Sequence, residues 1–110
     1  MPKFITIGYG DRKGYERTDA AVLKAAHAND AELAARGALI GIAGSPVQVR
    51  NTEGRRVVTQ DGAYLTSQLP IAGFAVLDAA TLDDAIAMVA KSPCAVAHGV
   101  IEVWPLKESD

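Results

Sequence analysis

His27 and Asp30 are the residues of this chain whose types and spacing best suit chemistry. An imidazole gains and loses a proton near neutral pH, and a neighbouring carboxylate orients the ring and supports its charged form. Residues three apart on a helix lie on neighbouring positions of its surface, so the two side chains can contact each other. The pair is therefore a candidate proton-transfer site.

The same pair also has a purely structural interpretation. An alanine-rich segment from Thr18 to Arg36, followed by Gly37, is predicted to be one helix. Asp30 falls inside the arc of its apolar positions and His27 at the edge of that arc, the apolar positions being Val22, Leu23, Ala26, Leu33 and Ala34. Because a buried carboxylate needs a hydrogen-bonding partner, Asp30 is either part of a pocket wall or a polar group satisfied within the core.

Composition excludes several other classes of function. The chain has 110 residues, 49% of them hydrophobic, and a net charge of -2, so we expect one domain over residues 1–110 and no basic surplus for binding nucleic acid. One cysteine and two scattered histidines do not form a metal-ligand set, so we predict neither a metal nor a cofactor. No apolar run reaches the length of a signal peptide or membrane span, which predicts a cytoplasmic protein without membrane contact.

The periodicity of apolar residues predicts an order of strands and helices around the candidate pair. Alternation and turn residues predict strands and two helices in the order β-α-β-β-β-α-β. The segments are a strand at 3–9, a helix at 18–36, a strand at 38–43 that Gly44-Ser45-Pro46 interrupts and 47–50 continues, its hairpin partner at 55–60, a strand at 72–78, a helix at 82–91 capped by Thr81, and a last strand at 98–104.

This order predicts an α+β fold of the ferredoxin-like type, with two helices on one face of an antiparallel sheet. We assign Ile5, Ile7, Ala75, Leu77, Ile101 and Val103 to the face under the helices. The opposite face would then carry Phe4, Thr6, Phe74, Val76, Val100 and Trp104. That second face is too apolar to be left in water, so a homodimer is expected.

Four segments carry a family resemblance that spans nearly the whole chain. They are Asp61-Gly62-Ala63-Tyr64, Ile71 to Asp78, Leu82-Asp83-Asp84-Ala85 and Val100 to Leu106. Together they resemble the YCII-related, or DGPF, domain family. Ala63 and Tyr64 replace the proline and phenylalanine of the family's motif, and Trp104 replaces an arginine of its closing segment, which argues against an anionic substrate.

The resemblance implies a ferredoxin-like dimer of the dimeric α/β-barrel type. Some relatives are dehydrochlorinases that act on chlorinated hydroxyquinols without a cofactor, using a histidine and an aspartate to transfer a proton. On that basis His27 corresponds to the histidine of the first helix, and Asp61 is the one motif aspartate that carries over. Asp30 and Asp61 remain alternative partners for His27, although without the resemblance Asp61-Gly62 would be an ordinary turn pair.

Two hypotheses about function follow. The first is a small cofactor-free lyase, dehydrochlorinase or isomerase that acts on a small, oxygenated, aromatic molecule, with Tyr64 donating a hydrogen bond and Phe74 and Trp104 lining the pocket. The second is a non-catalytic dimeric module that binds a small ligand or assists a regulator, with His27 and Asp30 as structural polar residues.

Overall fold

The computed structural model describes residues 1–107 as a four-stranded antiparallel sheet with helices on one side and a separate two-stranded hairpin. The strands are β1 (Lys3–Tyr9), β2 (Leu39–Ile42), β3 (Val47–Arg50), β4 (Val58–Asp61), β5 (Ile71–Asp78) and β6 (Val100–Leu106). The helices are α1 (Arg12–Glu16), α2 (Ala20–Ala35), α3 (Leu82–Val89) and α4 (Pro93–Val96), with one 3₁₀ turn at Thr52–Gly54. No helix in these 107 residues is both long and apolar enough to cross a membrane.

The order of strands in the main sheet is β2-β5-β1-β6, and every neighbouring pair is antiparallel. β1 is therefore central, with Thr6 opposite Ala75 on one side and Val103 on the other. This arrangement confirms the predicted α+β class and is consistent with a ferredoxin-like fold. It differs from the prediction in having four helices, because two short helices follow the Gly-rich turn after β1 and the Ser92-Pro93 stop.

Side-chain caps set where the helices begin. Thr81 accepts a hydrogen bond from the Asp84 amide at 3.1 Å, so α3 begins at the residue that the sequence predicted. α2 begins two residues later than predicted, because Asp19 caps it by accepting from the Ala21 amide at 2.9 Å. Thr18 instead donates its hydroxyl to the Gly14 carbonyl oxygen at 2.7 Å, which joins the end of α1 to the turn before α2.

The core lies between the sheet and the helices. It contains Phe4, Ala75, Leu77, Ala79, Ala85 and Val89, with Ile101 and Val103 packed against it. The predicted assignment of residues to the two faces of the sheet is confirmed for β5 and β6 and is wrong for β1. In the structure Phe4 and Thr6 face the helices, and Ile5 and Ile7 lie on the opposite face. Alternation gives the two faces of a strand but not which face meets the core, and here pairing of Phe4 with Leu77 decides it.

The start of the last strand also differs from the prediction. His98 is exposed, has a positive φ of 62° and lies before β6, which begins at Val100. A left-handed backbone at this position ends α4 and redirects the chain into the sheet, so His98 does not alternate with the strand residues that follow it. Glu102 does lie on the face opposite the helices, where it accepts a hydrogen bond from the Tyr9 hydroxyl at 2.6 Å.

The hairpin formed by β3 and β4 is a separate sheet, and we call residues 47–61 the arm. Neither of its strands packs extensively on another described helix or strand. Nearly all of its side chains are exposed, including those of Val47 and Val49. The arm connects β2 to β5 and lengthens the molecule, whose principal extents are 52 × 37 × 20 Å.

Gly99 tests the tight contact between β1, α4 and the start of β6. A Cβ at this position would collide with the carbonyl oxygens of Tyr9 and Cys94. We expect Gly99→Ala to lower the free energy of unfolding by about 1–3 kcal/mol in a chemical denaturation experiment, because backbone must shift to make room. Gly44→Ala is the control, since nothing lies within 4 Å of its added Cβ; equal effects of the two substitutions would contradict this packing.

Candidate functional site

A cleft of about 410 Å³ lies between the helix-side face of the sheet, α2 and the Ser92-Pro93-Cys94 segment. Its floor is formed by small and apolar residues of the strands, including Gly8, Ala75 and Ile101. The small residues leave space that larger side chains would fill. Four residues with chemically useful groups lie on its walls: Tyr15, His27, Asp30 and Cys94.

Asp30, on the wall of the cleft formed by α2, is hydrogen-bonded to Ser92 on the opposite wall. Its Oδ1 accepts a hydrogen bond from the hydroxyl of buried Ser92 at 2.7 Å. The neighbouring Asn29 donates from its Nδ2 to the Met88 carbonyl oxygen at 3.1 Å and to the Ser92 Oγ at 3.2 Å. These bonds explain how a carboxylate is tolerated on the inner stripe of α2, and they fix the distance between α2 and the start of α4.

His27 lies at the mouth of the cleft, one turn before Asp30, with its side chain exposed. Within residues 1–107 no hydrogen bond joins His27 to Asp30, whose partner is Ser92. The structure therefore brings the two predicted proton-transfer residues to the same cavity without joining them directly. An imidazole at the mouth can reach both solvent and a molecule bound inside.

Tyr15 and Cys94 form a second polar contact deeper in the cleft. The Tyr15 hydroxyl and the Cys94 sulfur are 3.8 Å apart, within reach of a weak hydrogen bond to sulfur. Burial is the main cause that raises the pKa of Tyr15 to about 12, with smaller contributions from Cys94 and from the charge on Asp30. Tyr15 therefore keeps its proton at neutral pH and is a hydrogen-bond donor inside the cavity.

The Cys94 thiol is also kept neutral. Burial raises its pKa and the charge on Asp30 adds to the rise, while the contact with Tyr15 opposes it. A thiol whose proton is retained is a poor nucleophile, because the thiolate is the reactive form. Cys94 is therefore better suited to a structural role than to nucleophilic catalysis.

The other predicted site residues lie outside the cleft or at its margin. Asp61 ends β4 and Tyr64 follows it, both exposed and on or beside the arm, so one chain does not place Asp61 on the cleft wall beside His27. The Tyr64 ring lies beneath the Arg50 guanidinium, 5.8 Å from its centre. Phe74 borders the cleft through its place in β5, but its side chain lies on the sheet face opposite the helices, as does that of Trp104, which is 54% exposed.

Three residues that line the cleft or hold its walls together were not predicted from the sequence. Ser92 directly follows the helix predicted at 82–91, Tyr15 lies in the Gly-rich segment after the first strand, and Asn29 is an ordinary surface residue type. Their positions depend on contacts between residues about 60 to 80 apart in the chain, such as the Asn29–Ser92 and Tyr15–Cys94 contacts. The one feature that pointed here was the polar residue Asp30 on an apolar stripe.

Metal binding has no support in the described part of the chain. Among residues 1–107, no three histidine, cysteine, aspartate or glutamate side chains cluster as metal ligands do. The chemical groups that the cleft offers are an imidazole, a carboxylate with its hydroxyl donor, a phenol and a neutral thiol. Such a set can bind an oxygenated molecule and move a proton.

Comparison with known protein families places the chain in one of them. The model described as "YCII-related domain" matches residues 3–110, which is almost the whole chain. Among curated proteins, no match to the chain is found.

The Cys94 thiol, the one cysteine of the chain, reports on the polar groups of the cleft. Asp30→Asn removes a negative charge that raises the thiol pKa, so we expect the pKa to fall. Tyr15→Phe removes the hydrogen bond that opposes the rise, so we expect the pKa to increase. The pH dependence of the iodoacetamide alkylation rate measures both shifts.

Tyr64→Phe is the matched control for this titration, because Tyr64 is exposed beside the arm and lies outside the cleft. It should leave the thiol pKa unchanged. Shifts of the same sign in the Asp30 and Tyr15 variants would contradict the arrangement of groups around the sulfur.

Proposed function

We propose that this chain, which belongs to the YCII-related domain family, is a small cofactor-free enzyme that transfers a proton on an oxygenated aromatic molecule bound in the cleft. The observation that carries the proposal is that His27 and Asp30 line one cavity whose remaining walls are mainly apolar. Apolar walls with a few convergent polar groups are typical of small-molecule sites. A single planar ring with its substituents fits within about 410 Å³.

His27 is the proposed catalytic base because it is the imidazole of the cleft and reaches solvent at the mouth. In a lyase step on the keto tautomer of a chlorohydroxyquinol, in which the carbon that carries chlorine is sp3, His27 accepts a proton from a hydroxyl or from a carbon of the ring. The electron pair left behind forms a new double bond while a leaving group such as chloride departs with its own electron pair. The proton then passes from His27 to water, which restores the base.

Asp30 and Tyr15 have supporting roles in this proposal. Asp30, whose carboxylate is fixed by Ser92, places a negative charge in the same cavity as the imidazole, one turn away. Tyr15, whose pKa of about 12 keeps its hydroxyl protonated, donates a hydrogen bond to a substrate oxygen on which negative charge develops.

His27→Gln tests the catalytic proposal. Its side chain is exposed, so we expect the free energy of unfolding to change by no more than about 0.5 kcal/mol. Release of chloride from a chlorohydroxyquinol, measured with an ion-selective electrode, should be lost in His27→Gln. Glu32→Gln, an exposed change on the same helix, should release chloride as the wild type does. Equal chloride release by the wild type and His27→Gln would contradict the assignment.

The second candidate function is a binding module without chemistry. It is favoured by one observation: Asp30 accepts its hydrogen bond from Ser92 and not from His27, as expected of a structural polar group. In that case catechol or a chlorohydroxyquinol raises the melting temperature of the wild type and of His27→Gln equally, and neither releases chloride. The same two proteins and the same probes therefore separate the two functions.

We also propose that the protein is a homodimer joined through the sheet face opposite the helices. This face carries exposed or half-exposed apolar side chains from four strands: Ile5, Ile7, Leu39, Phe74, Val76, Val100 and Trp104. A contiguous apolar surface of this kind is rarely left in water, and a second copy covers it without requiring another partner.

Light scattering tests the dimer directly. We expect a mass twice that of the 11.5 kDa chain, and a return to the monomer mass in Val76→Glu, which adds a charge in the middle of the face. Trp104, the one tryptophan, should then show a red-shifted emission as it becomes exposed. Val22→Glu, on the exposed side of α2, is the control and should remain dimeric.

A further inference from the structure

The two faces of the arm differ in how many of their side chains make contacts within the arm. On one face Arg50 donates to the Gln48 Oε1 at 2.9 Å and to the Gln60 Oε1 at 3.5 Å, and it lies over the Tyr64 ring. Gln48 in turn donates to the Gly62 carbonyl oxygen at 3.2 Å. This face is therefore completed by contacts within the arm and its base.

The other face of the arm, which we call the bare face, consists of exposed side chains. Pairing of Val47 with Asp61 and of Val49 with Thr59 puts these four side chains on the same face. Val47 and Val49 are more than half exposed, and within residues 1–107 no side-chain hydrogen bond or ion pair involves Asp61. The aspartate that corresponds to the family motif thus lies on the unpartnered apolar face.

A hairpin with these exposed side chains is expected to pack against another surface. A two-stranded hairpin is at best marginally stable in water without packing against other elements. No described element of its own chain packs extensively on it. The side chains that would gain from a cover are two valines and a carboxylate, so the matching surface must be apolar with a basic or hydrogen-bonding group nearby.

The mouth of the cleft is such a surface. Ile42 lies on its rim and is 93% exposed, and β2 is an edge strand whose outer side is unpaired. His27, which can carry a positive charge, lines the same cleft.

From these observations we propose that the two copies of a dimer exchange arms, so that the bare face of each arm covers the cleft mouth of the other. Val47 and Val49 then pack on Ile42 of the other copy, and the partner's Asp61 faces His27. The site would be built from two chains: His27, Asp30 and Tyr15 from one, and the aspartate of the family motif from the other. This inference rests on the proposed function for its chemistry, but it concerns geometry that can be tested alone.

The interface on the sheet face is continuous with this exchange. Phe74 belongs to the apolar face and also lines both the cleft and the groove at the base of the arm. A two-fold axis through the apolar faces would bring the bases of both arms to the dimer interface, and each arm would meet the same surface of the other copy. Asp61 and Asp30 would then have complementary roles, with Asp61 beside the exposed side of the imidazole.

Cysteine cross-linking tests the exchange without any ligand. In a Cys94→Ser background, His27→Cys and Asp61→Cys are combined in one chain and treated with a short bismaleimide. Both positions are exposed, so folding should be unaffected. The expected product on a denaturing gel is a covalent dimer at twice the 11.5 kDa of the chain. The matched control is His27→Cys with Gln60→Cys, because Gln60 is adjacent to Asp61 but lies on the other face of the arm.

The exchange is supported if the variant with His27→Cys and Asp61→Cys gives a stronger dimer band than the variant with His27→Cys and Gln60→Cys. It must also give a stronger band than each single-cysteine variant. Cross-linking within one chain, equal bands for both pairs, or no dimer band in a protein that light scattering shows to be dimeric overturns it. The last result would leave the dimer and the proposed chemistry standing. Conversely, cross-linking without any chloride release would retain the exchange and reject the enzyme.

Discussion

The hydrogen bonds among Asn29, Asp30 and Ser92 are the constraint on which the cleft depends. They join the middle of α2 to the segment between α3 and α4, and Asp30 among them lies where a core helix would normally place an apolar side chain. An apolar contact would let the two segments approach until the space between them closed. Directional bonds instead hold them at a set distance, which keeps open the cavity beneath.

The sheet imposes a second constraint, because both of its faces are apolar. One face is covered by the helices, and the other carries Ile5, Ile7 and Val76 between more exposed neighbours. Glu102 interrupts that second face, and its hydrogen bond from Tyr9 removes part of the cost of placing a carboxylate among apolar groups. The same contact raises the pKa of Tyr9, since the phenol must keep its proton to donate.

Local patterns were enough to predict most of the fold. The capping of α3 by Thr81, the strand at Val47–Arg50 and the α+β class all follow from residues close in sequence. The faces of β1 were assigned wrongly, because alternation repeats every two residues whichever face is inside, and only the neighbouring strand decides. α4 was missed since four residues carry too little periodicity to detect. In the cleft, the unusual position of Asp30 was visible in the sequence, whereas Ser92 and Tyr15 were not, because their roles arise from contacts between distant segments.

The central position of β1 has a consequence for how the chain folds during synthesis. Lys3 pairs with Leu106 on one side and with Asp78 on the other, so β1 must wait for strands made much later before its backbone is hydrogen-bonded. Contacts of such long sequence separation slow folding, because the loop-closure entropy is lost before the contacts are gained. Phe4 and its neighbours therefore stay unburied on the ribosome until β5 has emerged, and the sheet closes only with β6.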